Sequence, residues 1–145
     1  MKGYERILLA VDISPENQIV ATRAAELARG FSAQLSILHV VEYVPLDLGN
    51  ELVLPQQQEI EIQLVARAEQ RLKELAVAIG MGDAEQKVIC GSVKVEIVQF
   101  AAQQGVDLIV IGRHCRRGIF RLLGSTANAV LHAAECDVLA VNLAE

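Results

Sequence analysis

The chain contains no tryptophan, only three phenylalanines and two tyrosines among its 145 residues. Aromatic platforms of the kind that stack single-stranded bases have little to be built from. Basic residues are also in the minority. Thirteen Lys and Arg against 18 Asp and Glu give a net charge of -5, which opposes the phosphate neutralisation that sequence-independent nucleic-acid binding requires. Cys90, Cys115 and Cys136 form no C-x-x-C pair, so neither a disulfide framework nor a zinc site is expected. No aliphatic run, Ile7 to Val11 included, approaches the ~18 residues of a membrane span. The opening Met1-Lys2-Gly3-Tyr4-Glu5-Arg6 meets an acid before any apolar stretch and has no small-residue cleavage pattern, unlike a secretory signal. The expectation is a cytoplasmic protein with reduced thiols and with neither membrane nor nucleic acid among its partners.

What is present is aliphatic: 52% of residues are apolar in a chain of 15.7 kDa, enough for one domain, residues 1–145, to bury a core without staples. A near-continuous apolar run at Glu5 to Val11 reads as a strand covered on both faces, and Leu35 to Val41, Glu85 to Cys90, Asp107 to Ile111 and Asp137 to Leu143 read as four further strands. Between them lie segments of helical periodicity. The first should be capped by Ser14 with Pro15 at the first helical position and closed by Gly30. A second, from about Ile60 to Ile79, follows a long connection over 42–58. A third runs from Val93 to Gln104 before Gly105, and a fourth carries Ala127, Val130, Leu131 and Ala134. Alternating strands and helices predict an α/β fold, a doubly wound parallel sheet with helices on both faces. Ligands of such sheets bind beyond the carboxyl ends of the strands.

The first strand end, Asp12-Ile13-Ser14-Pro15-Glu16, has no glycine, which excludes a dinucleotide fingerprint there, and no P-loop occurs anywhere in the chain. The acids and the lysine of a phospho-receiver are missing as well. The fourth strand end is richer. From Gly112 to Thr126 it holds Gly112, Gly118 and Gly124, four arginines within nine positions, and Ser125-Thr126 at a helix mouth. Glycines let backbone approach a ligand, and the free N–H groups of a helix start favour an anion. The segment reads as a phosphate-sized anion site. The plainer alternative, glycines shaping a turn, a capping serine and solvated arginines, stays open on the residues alone.

The order and spacing of Ile7-Leu8-Leu9-Ala10-Val11-Asp12, Ile37-Leu38-His39-Val40-Val41, Asp107-Leu108-Ile109-Val110-Ile111-Gly112, Gly124-Ser125-Thr126-Ala127-Asn128 and Cys136-Asp137-Val138-Leu139-Ala140-Val141 resemble the universal stress protein family over the whole chain. The resemblance implies a five-stranded sheet of order 3-2-1-4-5, Rossmann-like or flavodoxin-like, in a homodimer joined through the last strand, Val138, Leu139, Ala140 and Val141. It implies an adenine nucleotide, ATP with magnesium carried by the phosphates, at the switch point of the sheet. By position, Ala10, Val11 and Asp12 would border the nucleoside, Val40 would offer backbone to the base, and Gly112, Arg113, Cys115, Gly124, Ser125 and Thr126 would surround the phosphates. Two departures stand out. Cys115 occupies the place of the motif's second glycine, and eight residues rather than nine, Arg116 to Leu123, separate it from Gly124. If that position needs positive φ, the missing glycine costs about 1–2 kcal/mol, roughly a tenfold loss of affinity.

Histidines take bland readings: His39 as a hydrogen-bonded core residue, His114 as solvated or facing phosphate, His132 as surface. Asp12 serves equally as a helix cap. With no general base evident beside the loop, the expectation is a stress-response regulator that binds nucleotide without efficient turnover, and not an enzyme. The other reading is a nucleotide-free interaction protein of the same family that acts through protein partners.

Overall fold

The aliphatic runs become five parallel strands in a computed structural model that describes residues 3–12, 14–42, 55–114 and 125–143. In chain order these are β1 (Arg6–Ala10), α1 (Asn17–Phe31), β2 (Gln34–Val41), α2 (Pro55–Ala78), β3 (Glu85–Cys90), α3 (Val93–Gln104), β4 (Leu108–His114), α4 (Ser125–Ala133) and β5 (Asp137–Leu143). They form one sheet of order β3-β2-β1-β4-β5, every pairing parallel. The order and the doubly wound class agree with the expectation.

Two cores explain why the central strand reads as an unbroken apolar run. Ile7, Leu9 and Val11 join Val20, Ala24 and Ala28 of α1 and Leu72, Ala76 and Ile79 of α2 or its end in the first core. Leu8 and Ala10, pointing the other way, join Ile97, Phe100 and Ala101 of α3 and Ala127 and Val130 of α4 in the second. Successive strand residues face opposite sides, so a strand roofed on both faces has no position where a polar residue is cheap. The central strand shows the result: Ile7, Leu8 and Leu9 are at most 1% exposed. No helix among the described residues is long and apolar enough to cross a membrane.

At the amino end of the sheet a polar clamp replaces further packing. Asp107 accepts the backbone N–H groups of Glu5 at 3.0 Å and Arg6 at 3.1 Å, while the Arg6 guanidinium donates to the Gln104 carbonyl at 2.8 Å. The start of β1 is thereby fastened to the turn between α3 and β4. Nearby the Tyr4 hydroxyl donates to Asp137 Oδ2 at 2.7 Å, and that bond holds the hydroxyl pKa above its ordinary value.

Several element ends differ from the sequence reading. α1 starts at Asn17 with Glu16 at its N-cap, while Ser14 turns its N–H and hydroxyl to Asp12 Oδ1, at 3.2 and 2.6 Å, and its carbonyl accepts the Asn17 N–H at 3.1 Å. At the other end the helix runs through Gly30 to Phe31, and Ser32 takes the left-handed turn at φ 55°. The added residue brings the Phe31 ring edge-on to Tyr4, centroids 5.2 Å apart. Gly105 does close α3 in the left-handed region as expected, at φ 66°. α2 begins at Pro55, so the last part of the expected 42–58 connection is helical, with proline where its missing N–H is harmless; residues 43–54 lie outside the described residues. β4 continues past Ile111 through Gly112, Arg113 and His114, since β5 offers Val141, Asn142 and Leu143 as ladder partners.

Candidate functional site

The two strands beside β1 overrun it. Its last register pair with β2 is Ala10↔Leu38 and its last with β4 is Ala10↔Ile111, yet β2 continues to Val41 and β4 to His114. The overhangs are themselves supported, by β3 as far as Val41↔Cys90 and by β5 as far as His114↔Leu143. A notch therefore opens at the carboxyl end of the central strand, where the order of the sheet reverses. A cavity of about 220 Å³ fills it.

Its floor is the end of β1, Ala10, Val11 and Asp12, and its sides are Leu38, His39 and Val40 on β2 and Ile111 and Gly112 on β4. The helices contribute their starts. Asn17 of α1, Val93 of α3 and Thr126 of α4, each first or second in its helix, border the same space. The N-caps of α1 and α3, Glu16 and Ser92, make no side-chain capping hydrogen bond. Three helix dipoles thus present their positive ends to one cavity.

The chain from Val11 to Ser14 leaves the sheet here and is held by side chains. After a last ladder bond, Val11 N–H to the Leu38 carbonyl at 3.0 Å, the Val11 carbonyl lies 2.7 Å from His39 Nδ1. The Asp12 carbonyl accepts the Asn17 side-chain amide at 3.0 Å. Asp12 Oδ1 takes the two Ser14 donors, an Asx turn. The carboxylate thereby closes a turn on Ser14 just before α1.

Gly112 was expected in a loop where it would free the backbone. It lies within β4, and the reason for glycine there is space: a Cβ would sit 2.9 Å from Val20 Cγ2 and 2.9 Å from Leu143 Cδ1. Arg113, exposed and opposite Asn142 in the ladder, does not border the cavity. Ser125 and Thr126 open α4 as expected, whereas Cys115 and Gly124 lie outside the described residues.

The structure brings together Ala10, Val11, Asp12, Val40, Gly112 and Thr126 of the expected site. Sequence reasoning missed Asn17, Val93 and Ile97. Val93 and Ile97 look like any apolar positions of an amphipathic helix, and only the first is betrayed by its place at a helix start. His39 was read as a core residue. It is hydrogen-bonded as expected, but half-buried and in the cavity wall. His132 is on the surface.

The described thiols are unpaired, Cys90 and Cys136 both half-buried. Burial, reinforced by a hydrogen bond to Glu61, raises the Cys90 pKa. Burial also raises that of Cys136, with the negative charge of Asp137 adding to it. Both shifts disfavour the thiolate, the nucleophilic form. Among the described residues no group of three His, Cys, Asp or Glu is placed to hold a metal ion.

A doubly wound parallel sheet with a cavity at its switch point and helix starts around it defines an α/β protein of the Rossmann-like class. The chain belongs to the universal stress protein family, whose model matches residues 3–142. It is 40% identical over 142 residues to universal stress protein A homolog 1 of Coxiella burnetii, covering 98% of this chain and 99% of that protein. Among solved structures, the universal stress protein UspA from Lactobacillus plantarum matches with a TM-score of 0.78 at 26% identity, over 96% of this chain and 98% of that one. The universal stress protein from Archaeoglobus fulgidus in complex with dAMP matches with a TM-score of 0.63 at 25% identity, over 97% and 98% of the two chains.

Proposed function

We propose that this universal stress protein is a cytoplasmic stress-response regulator that binds an adenine nucleotide, ATP, in the notch at the end of β1, without efficient turnover. The observation that carries this reading is the convergence of the starts of α1, α3 and α4 on one cavity. Each helix start favours a nearby anion by ~0.3–1 kcal/mol, and free N–H groups there suit phosphate oxygens. The cavity, about 220 Å³, falls below the ~300–1,000 Å³ of drug-sized ligand sites, a size suited to base and sugar with the phosphates directed outward. The relative that holds dAMP supports the same ligand class.

In this reading Asp12 meets ribose, the Val40 backbone meets the base, and the phosphates lie toward Gly112, Ser125 and Thr126, with Arg113, Cys115 and Gly124 completing their surroundings. Magnesium enters with the phosphates. Aliphatic walls and an Asp12 carboxylate bound to Ser14 suit retention of the nucleotide better than its hydrolysis.

Titration calorimetry with ATP and magnesium tests the reading. Saturable binding is expected, weakened at least about tenfold by Asp12→Ala, the loss of a charge-assisted contact. No saturable binding up to millimolar ATP would instead favour the nucleotide-free interaction protein.

The same proposal includes the homodimer. β5 is an edge strand, paired only with β4 among the described residues, and Val138, Leu139 and Ala140 are half-buried. An unpaired apolar edge is a liability that a second copy removes. Val141 is buried in the first core, so it contributes backbone to that edge and side chain to the interior. Light scattering should return twice the 15.7 kDa chain mass; a monomer mass refutes the pairing.

A further inference from the structure

We infer that His39 is a positioning residue for the notch: its side chain takes the hydrogen bond with which the β1–β2 ladder would otherwise continue, and so fixes where β1 leaves the sheet. The consequence for binding rests on the nucleotide reading above; the consequence for the ladder does not. The direction of the backbone groups on β2 comes first. In a parallel strand the N–H and C=O of one residue point to the same neighbour, and successive residues alternate between the two neighbours. Even-numbered residues of β2 face β1: the Gln34 N–H donates to the Glu5 carbonyl at 2.9 Å, and the Leu38 carbonyl accepts the Val11 N–H at 3.0 Å. Odd-numbered residues face β3, as the Val41 carbonyl does in accepting the Gly91 N–H at 3.0 Å. The Val40 N–H is therefore turned toward β1. The next rung would join it to the Val11 carbonyl.

Among the described residues that rung is not made. The Val11 carbonyl lies 2.7 Å from His39 Nδ1 instead. A carbonyl only accepts, so Nδ1 is the protonated ring nitrogen and donates. Side chains alternate along a strand; Leu38 and Val40 face the second core and Ile37 the first, so the His39 side chain reaches the end of β1 from the face that carries α1 and α2. Beyond this bond the chain turns into Asp12, whose carbonyl accepts the Asn17 amide at 3.0 Å. Side chains from β2 and α1 thus hold two consecutive carbonyls. The gap between the end of β1 and the overhang of β2 stays open as a result. If the His39 donor is removed, a carbonyl left without a partner costs about 1–3 kcal/mol, and the Val40 N–H is the nearest replacement along the ladder. That repair adds a rung and draws Val11 and Asp12, the floor of the cavity, toward β2. His39 acts on a ligand through those two residues.

The test combines amide hydrogen exchange on the ligand-free full chain with calorimetry against ATP and magnesium, for wild type, His39→Leu and His39→Asn. Leucine fills similar space without a donor. Asparagine places an amide nitrogen as many bonds from Cβ as Nδ1, so it can still donate to the Val11 carbonyl. In wild type the Val40 amide is expected to be at least about tenfold less protected than that of Leu38, which lies within the ladder in register with Ala10. In His39→Leu the two amides are expected to be protected to within about threefold of each other, and in His39→Asn the wild-type difference is expected to return. ATP affinity is expected to fall at least about fivefold in His39→Leu, as for the loss of one hydrogen bond, and to recover to within about twofold in His39→Asn. A wild-type Val40 amide as protected as Leu38 overturns the inference, because the ladder then continues past the histidine. Unchanged ATP affinity in His39→Leu also overturns it and leaves nucleotide binding standing, as does failure of asparagine to restore both readouts. If the wild type binds no ATP, the nucleotide reading falls and the exchange rates alone decide on His39. Should His39→Leu fail to fold, wild type and His39→Asn still decide, since the Val40 amide must exchange fast in both.

Discussion

Leu38→Ala is expected to lower folding stability by about 2–5 kcal/mol, in the upper half of that range. Leu38 is fully buried on β2 and packs in the second core with Leu8, Ala10, Ile97 and Val40. The cost of such a truncation depends on how far the surroundings collapse into the void. Here they have little freedom. The residue is in register with Ala10 on one side and Lys87 on the other, and its carbonyl holds the Val11 N–H. The strand cannot move inward without breaking both ladders. Moreover Leu38 already borders the cavity, so the lost side chain enlarges an existing space that its neighbours do not fill. Urea denaturation should show a lower midpoint with an unchanged slope. Ile62→Ala is the control: at 68% exposed it should change stability by no more than about 0.5 kcal/mol. A Leu38→Ala loss below about 1 kcal/mol would contradict the packing described. On the proposed nucleotide reading the enlarged cavity should also weaken ATP, because the wall at Leu38 retreats.

The case of Leu38 also marks what can be read from residues. Apolar runs marked the inner strands, since a strand roofed by helices on both faces must be apolar at successive positions, as Ile7, Leu8 and Leu9 are, whereas the edge strand β3 opens on Glu85, Gln86 and Lys87. The order of the strands came from the family resemblance, because pairing joins residues as distant as Leu8 and Ile109 and local periodicity carries no trace of it. Element ends were less legible for the same reason. Gly30 looks like a helix stop, but whether a helix stops is decided by what one more residue reaches, here Phe31 against Tyr4. Ser14 looks like a cap, but its donors go back to Asp12.

The candidate site was half legible. Asp12 and Thr126 stand at element ends, and a strand end in an α/β sheet is already a prediction about ligand position. The notch itself was hidden, since it arises from a difference in strand length and β4 had been ended at Ile111. Once Gly112 to His114 join the ladder with Val141 to Leu143, β1 becomes the short strand between two long ones. His39 was hidden by its company. In an aliphatic strand a lone histidine suggests burial, and only the end of β1 beside it turns that histidine into a wall of the cavity.

Gly112→Ala should disturb both stability and binding, and the balance between them tests why glycine is there. The new Cβ would lie 2.9 Å from Val20 Cγ2 and 2.9 Å from Leu143 Cδ1, closer than packed carbon atoms settle at about 3.5–4.0 Å. Leu143 can swing its terminal methyl aside. Val20 cannot do so easily: it is 2% exposed and β-branched, with little rotamer freedom in a helix. Overpacking of this kind costs about 1–3 kcal/mol, or about 2–12 °C in melting temperature at this chain length. Relief should come from the side that resists. In the double variant with Val20→Ala the stability loss should be less than the sum of the two single losses, by at least about 0.5 kcal/mol, as expected of residues in contact. Additive losses would mean that the two positions do not compete for space. Because Gly112 and Val20 also border the cavity, the strain falls on the wall nearest the helix starts, and ATP affinity should drop with stability in Gly112→Ala. Lost binding at unchanged stability would instead assign the glycine to the approach of phosphate, and lost stability at unchanged binding would assign it to packing alone.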